Sequence, residues 1–173
     1  HIVTKILVVD DHAVVRQGVK QILNEQFQGA VIGEARNAEE MIDRIKKFTW
    51  DIVVLDVGMP GKSGLDALKD LKQVCPKLPV LVLSAYPEDQ LARRMLKAGA
   101  SGYLTKDSAP NELVQALRKI LGGGKFVSAS MAELLVANLN EQAERPPHEL
   151  LSDREYQVMC LIAVGKSLKE IAE

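Results

Sequence analysis

The sequence has little cysteine and no long hydrophobic run. Its two cysteines, Cys75 and Cys160, lie far apart in no CxxC or other ligand-like spacing, which favours reduced thiols of a cytosolic protein over a disulfide framework. No apolar run approaches the roughly 20 residues that a membrane-spanning helix needs, and no signal peptide precedes the first predicted strand. We therefore expect a cytoplasmic protein without a membrane partner.

Strong charge of one sign is also missing. The net charge of −1 argues against a protein that grips nucleic acid or membrane with its whole surface, although a local basic patch is compatible with it. Hydrophobic residues make up 47% and charged residues 26%, a balance typical of a globular protein rather than a disordered one. A length of 173 residues allows one domain of ordinary size plus a smaller piece.

Short apolar runs alternate with segments of helical periodicity over the first two thirds of the chain. The run from Ile52 to Leu55 is apolar throughout, as in a parallel strand buried on both faces. Alternation of this kind predicts an α/β domain, residues 1–122, with a doubly wound five-stranded parallel sheet. The predicted strands are 5–9, 31–35, 52–55, 79–83 and 101–104.

The remainder of the chain differs in its sequence pattern. Residues 123–150 are predicted to be a linker with a helix at 128–140, because the stretch after that helix is polar and broken by Pro146 and Pro147. Residues 151–173 carry a capping-box helix start and the opening of a second helix. One and a half helices cannot bury a core alone, so we expect an incomplete all-α domain there.

The predicted strand ends carry the side chains best suited to chemistry. In a parallel sheet the carboxyl ends open on one edge, so these side chains should converge in one cleft. They are Asp10 and Asp11 after the first strand, Asp56 after the third, Ser84 after the fourth and Lys106 after the fifth.

The charges of this set indicate a cation and an anion. Two carboxylates about 4 Å apart repel by roughly 4 kcal/mol at an effective dielectric near 20, so three together need a counter-ion. An all-oxygen cluster with room for water is what Mg²⁺ prefers. A lysine and a hydroxyl at the same edge complement a tetrahedral anion. This chemistry suits an aspartate that accepts a phosphoryl group, and Asp56 is the strongest candidate.

Four motifs, taken as a set, resemble those of a bacterial two-component response regulator of the NarL/FixJ type. The receiver portion of that family is similar to residues 4–122, and the tail from Leu151 resembles the start of a LuxR-type helix-turn-helix domain. The recognition helix of that domain would follow Glu173, so no DNA-contacting residue can be named. The motifs are Asp10-Asp11-His12, Asp56-Val57-Gly58-Met59-Pro60-Gly61, Leu83-Ser84-Ala85 and Gly102-Tyr103-Leu104-Thr105-Lys106-Asp107.

The resemblance implies a flavodoxin-like strand order of 2-1-3-4-5 and a role for each matching residue. Asp56 is the implied phosphoacceptor, with Mg²⁺ held by Asp10, Asp11, Asp56 and the backbone carbonyl of Gly58. Ser84 and Lys106 are implied to contact the phosphoryl oxygens, and Tyr103 to change rotamer on activation. The implied partners are a sensor histidine kinase, DNA through the complete C-terminal domain, and a second copy in a phosphorylation-dependent homodimer.

Plainer interpretations remain open for single residues. Asp10 could cap the following helix while Asp11 carries the metal, and His12 is better explained as a helix-start residue than as a ligand. Considered one at a time, without the rest of the set, Ser84 is explained as a turn residue and Lys106 as a solvated side chain. Tyr103 is likewise explained as a half-buried aromatic residue of a strand. Gly58 offers no side chain over the phosphoryl group, which should affect the lifetime of the phosphorylated form.

Two other functions compete with a phosphorylation-switched transcription regulator. A Mg²⁺-dependent phosphatase with an aspartate nucleophile would need Asp-x-Asp after the first strand, where this chain has Asp10-Asp11-His12. A receiver whose output is protein–protein interaction would not need DNA. Residues 152–173 hold three basic and four acidic residues, so DNA binding is implied by the resemblance and not by charge. The protein is not expected to be a turnover enzyme.

Overall fold

The computed structural model describes residues 3–58, 63–85, 89–127, 132–133 and 136–137. By internal contacts the chain divides into two units, residues 1–135 and 136–173, and the architecture below belongs to the first. Strands and helices alternate along it. The elements are β1 (Lys5–Val9), α1 (Ala13–Gln26), β2 (Val31–Ala35), α2 (Ala38–Lys47), β3 (Ile52–Asp56), α3 (Gly64–Val74), β4 (Val80–Ser84), α4 (Asp89–Lys97), β5 (Gly102–Thr105), α5 (Ala109–Leu121) and β6 (Phe126–Val127).

The strands form one parallel sheet in the order β2-β1-β3-β4-β5-β6. The predicted α/β class and the order 2-1-3-4-5 are confirmed for the five predicted strands. The predicted number of strands is wrong, because β6 adds a sixth, in which Phe126 pairs with Gly102 and Val127 with Tyr103. A strand of two residues is too short to produce an alternating pattern or an apolar run in the sequence. The sheet thus extends past residue 122, into the range predicted as linker.

Alternate residues of each central strand enter cores on opposite faces of the sheet. Leu7 and Val9 of β1 join a core formed with α2, α3 and α4, whereas Ile6 and Val8 join a core formed with α1 and α5. In β3, Val53 and Leu55 face the first core, and Ile52 and Val54 face the second. Because both faces are covered, β1 is apolar from Ile6 to Val9 and β3 from Ile52 to Leu55, which is the pattern in the sequence.

Short polar contacts and glycines with positive φ set the helix ends. Asn37 Oδ1 accepts the N–H of Glu40 (2.8 Å) at the start of α2, and Ser63 Oγ accepts the N–H of Asp66 (3.2 Å) at the start of α3. After α4 the chain turns at Gly99, whose φ of +112° is unfavourable for any residue with a side chain. These ends keep the connections short.

Much of the predicted C-terminal organisation lies outside the described residues. Residues 132–133 and 136–137 are helical, within the predicted helix at 128–140. The predicted linker after residue 140 and the predicted helix-turn-helix start at 151–173 are not described. Among the helices that the structure does describe, none has the length and hydropathy to cross a bilayer.

Candidate functional site

The carboxyl edge of the sheet gathers the predicted site residues. Asp56 and Ser84 are the last residues of β3 and β4, Asp10 directly follows β1, and Lys106 directly follows β5. Asp10, Asp11, His12 and Asp56 each place one potential ligand atom so that all four atoms lie within 4.8 Å of one another. The convergence expected from a parallel topology is therefore present, and the set includes His12.

The aspartates are short of hydrogen-bond donors. Asp10 and Asp56 are each 2% exposed, and Asp11 is partly exposed. Asp56 Oδ2 and Asp10 Oδ2 have no hydrogen-bond partner, and neither does Asp11 Oδ1, although His12 Nδ1 lies 2.9 Å from it. Buried acceptor atoms without donors are costly, and a divalent cation is the group that would satisfy three of them at once. The acidic cluster is thus of the kind that holds Mg²⁺.

Lys106 supplies the positive charge at this edge. Its Nζ lies 3.0 Å from Asp56 Oδ1 and 3.4 Å from Asp10 Oδ2. Burial alone would lower the pKa of Lys106, but the two carboxylates outweigh it and raise that pKa. The ammonium therefore stays charged. The sequence-based alternative of a solvated lysine is wrong, because Lys106 is an ion-pair partner of both buried aspartates.

The environment of Asp56 opposes its charge. Burial raises the pKa of the Asp56 carboxyl, and the neighbouring charge of Asp10 raises it further. The N–H of Gly58, which donates to Asp56 Oδ1 (3.2 Å), and the Lys106 ammonium act in the opposite direction without cancelling the rise. A carboxylate in this position gains from any cation placed beside its free oxygen.

Gly58 leaves the space beside Asp56 open. A Cβ atom built on Gly58 would lie 3.8 Å from Asp56 Oδ1 and 4.0 Å from Oδ2, which is ordinary van der Waals contact. A side chain at this position would therefore stand next to both carboxylate oxygens. The role of the Gly58 carbonyl as a metal ligand stays a prediction.

Asp10 is positioned from two sides. Its Oδ1 accepts the N–H of His12 (2.8 Å), the residue that caps α1, and its carbonyl oxygen accepts from Arg16 Nη1 (2.6 Å). Arg16 Nε also donates to Glu34 Oε1 of β2 (3.2 Å). One oxygen of Asp10 thus serves the helix start, and Oδ2 still faces the cluster. The two interpretations of Asp10 are compatible.

Sequence reasoning missed Arg16 and Glu34. The side chains of Arg16 and Glu34 are 12% and 31% exposed, so the ion pair between them is largely shielded from water. A basic residue in the first turns of a helix is unfavourable next to the helix dipole, and that anomaly is the signal that could have identified Arg16. Glu34 pairs in register with Val8, two residues before Asp10.

Ser84 and Tyr103 lie on adjacent buried strands. Ser84 is 2% exposed and is opposite Thr105 in the ladder between β4 and β5. Tyr103 is 1% exposed and belongs to the core on the side of α3 and α4. The alternative of a half-buried aromatic is therefore wrong, because Tyr103 is completely inside. A rotamer change of Tyr103 stays a prediction.

A flavodoxin-like sheet with three aspartates and a lysine at its carboxyl edge defines the class of phosphoacceptor signalling domains. Comparison with known proteins agrees. Residues 6–118 match the family described as the response regulator receiver domain. The chain therefore belongs to the response regulator receiver domain family, and it is a response regulator of the two-component type.

Relatives and solved structures extend this similarity. The chain is 32% identical to the response regulator UvrY of Escherichia coli K12, over 97% of this chain and 78% of UvrY. It resembles the crystal structure of a LuxR-family response regulator from Aurantimonas sp. SI85-9A1, with a TM-score of 0.74, 36% identity, and coverage of 79% of this chain and 98% of that one. A structure of RcsB dimers bound to DNA has a TM-score of 0.72 and 27% identity, over 95% of this chain and 78% of RcsB.

Proposed function

We propose that Asp56 accepts a phosphoryl group from a sensor histidine kinase and that the added charge controls a transcriptional output. The observation that carries this proposal is the asymmetry of the Asp56 carboxylate. Its Oδ1 is held by Lys106 Nζ (3.0 Å) and the N–H of Gly58 (3.2 Å), whereas its buried Oδ2 has no hydrogen-bond partner. The carboxylate is thus oriented by one oxygen and available through the other.

The transfer uses the groups already at this edge. A carboxylate oxygen of Asp56 attacks the phosphorus of a phosphohistidine, the new O–P bond forms as the P–N bond breaks, and the departing imidazole keeps the electron pair and takes up a proton. Lys106 neutralises charge on the transferring oxygens, and Ser84 hydrogen-bonds one of them. Mg²⁺ held by Asp10, Asp11, Asp56 and the Gly58 carbonyl would neutralise the same oxygens when bound.

The new charge then acts on the strand ends beside Asp56. Lys106 and Ser84 are already linked, because the N–H of Lys106 donates to the Ser84 carbonyl (2.7 Å). Drawing both side chains toward a phosphoryl group would move these two strand ends together and shift the face from residue 85 to 106, with a rotamer change of Tyr103. The shifted face favours homodimerisation.

The output proposed is DNA binding by a C-terminal helix-turn-helix domain that begins at residue 151. The similarity to RcsB, whose structure shows dimers on DNA, supports a two-fold arrangement of this kind. We place the reaction in the cytoplasm. The protein undergoes one phosphorylation per cycle and is not a turnover enzyme.

Intact mass spectrometry tests the phosphoacceptor directly. The protein is incubated with acetyl phosphate and Mg²⁺ as native chain, as Asp56→Asn and as Asp43→Asn, a control on the exposed face of α2. We expect one phosphoryl adduct on the native chain and on Asp43→Asn, and none on Asp56→Asn. Chelation of Mg²⁺ should suppress the adduct, and sedimentation of the modified form should show a dimer.

Two results would overturn the proposal. An adduct that persists in Asp56→Asn places the acceptor elsewhere. Steady release of inorganic phosphate from small phosphate esters, over many turnovers and without a stable adduct, would instead support the Mg²⁺-dependent phosphatase.

A further inference from the structure

His12 brings a nitrogen to the acidic cluster. Its Nδ1 lies 2.9 Å from Asp11 Oδ1 and 3.1 Å from Asp10 Oδ1. The ring has 62% of its side-chain surface exposed and makes no capping hydrogen bond to α1. It can therefore reorient without giving up a contact to the helix.

The buried oxygens of the cluster point independently to a ligand at this place. Asp56 Oδ2 is without a hydrogen-bond partner in a side chain that is only 2% exposed, and Asp10 Oδ2, equally buried, accepts no hydrogen bond although the Lys106 ammonium lies 3.4 Å from it. Three carboxylates against one ammonium, that of Lys106, leave the charge of one divalent cation to be balanced. Neither observation involves His12.

The spacing of the four potential ligand atoms suits one ion. At metal–ligand distances of about 2.1 Å, the ligands of an octahedral ion lie about 3.0 Å apart when adjacent and about 4.2 Å apart when opposite. The atoms from Asp10, Asp11, His12 and Asp56 lie within 4.8 Å of one another. No pair is therefore more than about 0.6 Å wider than the widest separation within one such coordination shell.

We propose that His12 is a direct ligand of the cation at this site and makes the site favour Mn²⁺ and Co²⁺ over Mg²⁺. The inference rests on the proposed function, since it concerns the same site. Imidazole nitrogen is a good ligand for first-row transition metals, whereas Mg²⁺ strongly prefers oxygen. A site of three carboxylates alone would discriminate much less between these ions.

The test uses pulsed electron paramagnetic resonance and calorimetry on the whole chain. Mn²⁺ bound to the native protein should show hyperfine coupling to a directly coordinated nitrogen, and His12→Asn should lose it. Asparagine is a good helix-capping residue, so this variant keeps the start of α1. The histidines at positions 1 and 148 are unchanged in both proteins, so the difference isolates His12.

Titrations at one pH measure selectivity. We expect His12→Asn to weaken Mn²⁺ and Co²⁺ binding by about tenfold or more, with Mg²⁺ affinity changed by less than about twofold because Mg²⁺ gains little from a nitrogen ligand. Native protein without nitrogen coupling overturns the proposal even if the variant fails to fold. An equal loss of affinity for all three ions overturns it as well, since His12 would then only orient the aspartates.

Phosphorylation separates this inference from the proposed function. If the native chain forms no adduct on Asp56 while Mn²⁺ shows the nitrogen coupling, the phosphoacceptor role fails and the ligand role of His12 holds. If the adduct forms and the coupling is absent, the reverse is true.

Discussion

The two edges of the same sheet use acidic residues differently. At the amino edge, Asp51 precedes β3, and its Oδ2 accepts the N–H of Lys5 at the start of β1 (2.8 Å). At the carboxyl edge, Asp56 ends β3 with Oδ2 buried and unpartnered. Five positions in the sequence thus separate a carboxylate that joins two strands from a carboxylate with one oxygen that accepts no hydrogen bond.

Neighbouring groups show the same contrast. At the amino edge, Trp50 has its polar and aromatic groups paired. Its Nε1 donates to the Arg44 carbonyl (3.1 Å), and its ring lies edge-on to Phe48. The carboxyl edge has instead two buried aspartates held beside one lysine. An unsatisfied buried group costs stability, and it persists where the surrounding fold is stable enough to tolerate it. The amino edge thus stabilises the fold, and the carboxyl edge holds the proposed phosphoacceptor site.

The largest effect should follow from removing the lysine of the carboxyl edge. Lys106→Met takes away the ammonium 3.0 Å from Asp56 Oδ1, and we expect phosphorylation by acetyl phosphate to slow by about 100-fold. Lys5→Met, an exposed lysine of the amino edge, is the matched control and should leave the rate unchanged. Time-resolved intact mass measures both. Equal phosphorylation rates in the two variants would contradict the proposed functional difference between the two edges of the sheet.

Sequence predicted this contrast only in part. Apolar runs identified β1 and β3 because both faces of those strands are buried, and the parallel topology then placed Asp56 and Lys106 at one edge. The donors around them could not be predicted, since the contacts of Arg16 with Asp10 and Glu34 join three separate elements. Likewise, nothing in a strand of two residues, β6, distinguishes it from a loop.

A second test concerns the support behind the carboxyl edge. Arg16→Met removes the donor to the Asp10 carbonyl and the donor to Glu34 Oε1, and we expect it to lower the free energy of unfolding by about 2 kcal/mol. Mg²⁺ affinity should fall by about tenfold, because Asp10 loses its orientation. The control is Lys20→Met, because the Nζ of Lys20 lies 3.5 Å from Glu34 Oε2 in the native protein. We expect this variant to change the free energy of unfolding by less than about 0.5 kcal/mol. Urea unfolding and calorimetry give both values, and unaltered Mg²⁺ binding in Arg16→Met would contradict the positioning role.

The packing of the amino edge allows a purely structural perturbation. A Cβ on Gly33 would overlap the ring of Trp50, so Gly33→Ala should lower the free energy of unfolding by roughly 1 to 2 kcal/mol and shift the emission of the sole tryptophan. Gly18→Ala, in the middle of α1 with no atom within 4 Å of its Cβ, should be neutral or stabilising by up to about 1 kcal/mol. The phosphorylation rate should stay unchanged in both. A slower rate in Gly33→Ala would show that the amino edge influences the chemistry.

The smallest expected effect compares the two aspartates of β3 directly. Asp51→Ala removes an exposed acceptor for the N–H of Lys5, which water can replace, so the free energy of unfolding should fall by only about 0.5 to 1 kcal/mol. Phosphorylation should proceed at the native rate, because the site at the other end of the strand is untouched. If Asp51→Ala instead slowed phosphorylation as Lys106→Met does, the register of β1 against β3 would be part of the catalytic geometry. The position of the unpartnered oxygen of Asp56 would then depend on the hydrogen bond at the opposite edge, and the two edges would be functionally coupled.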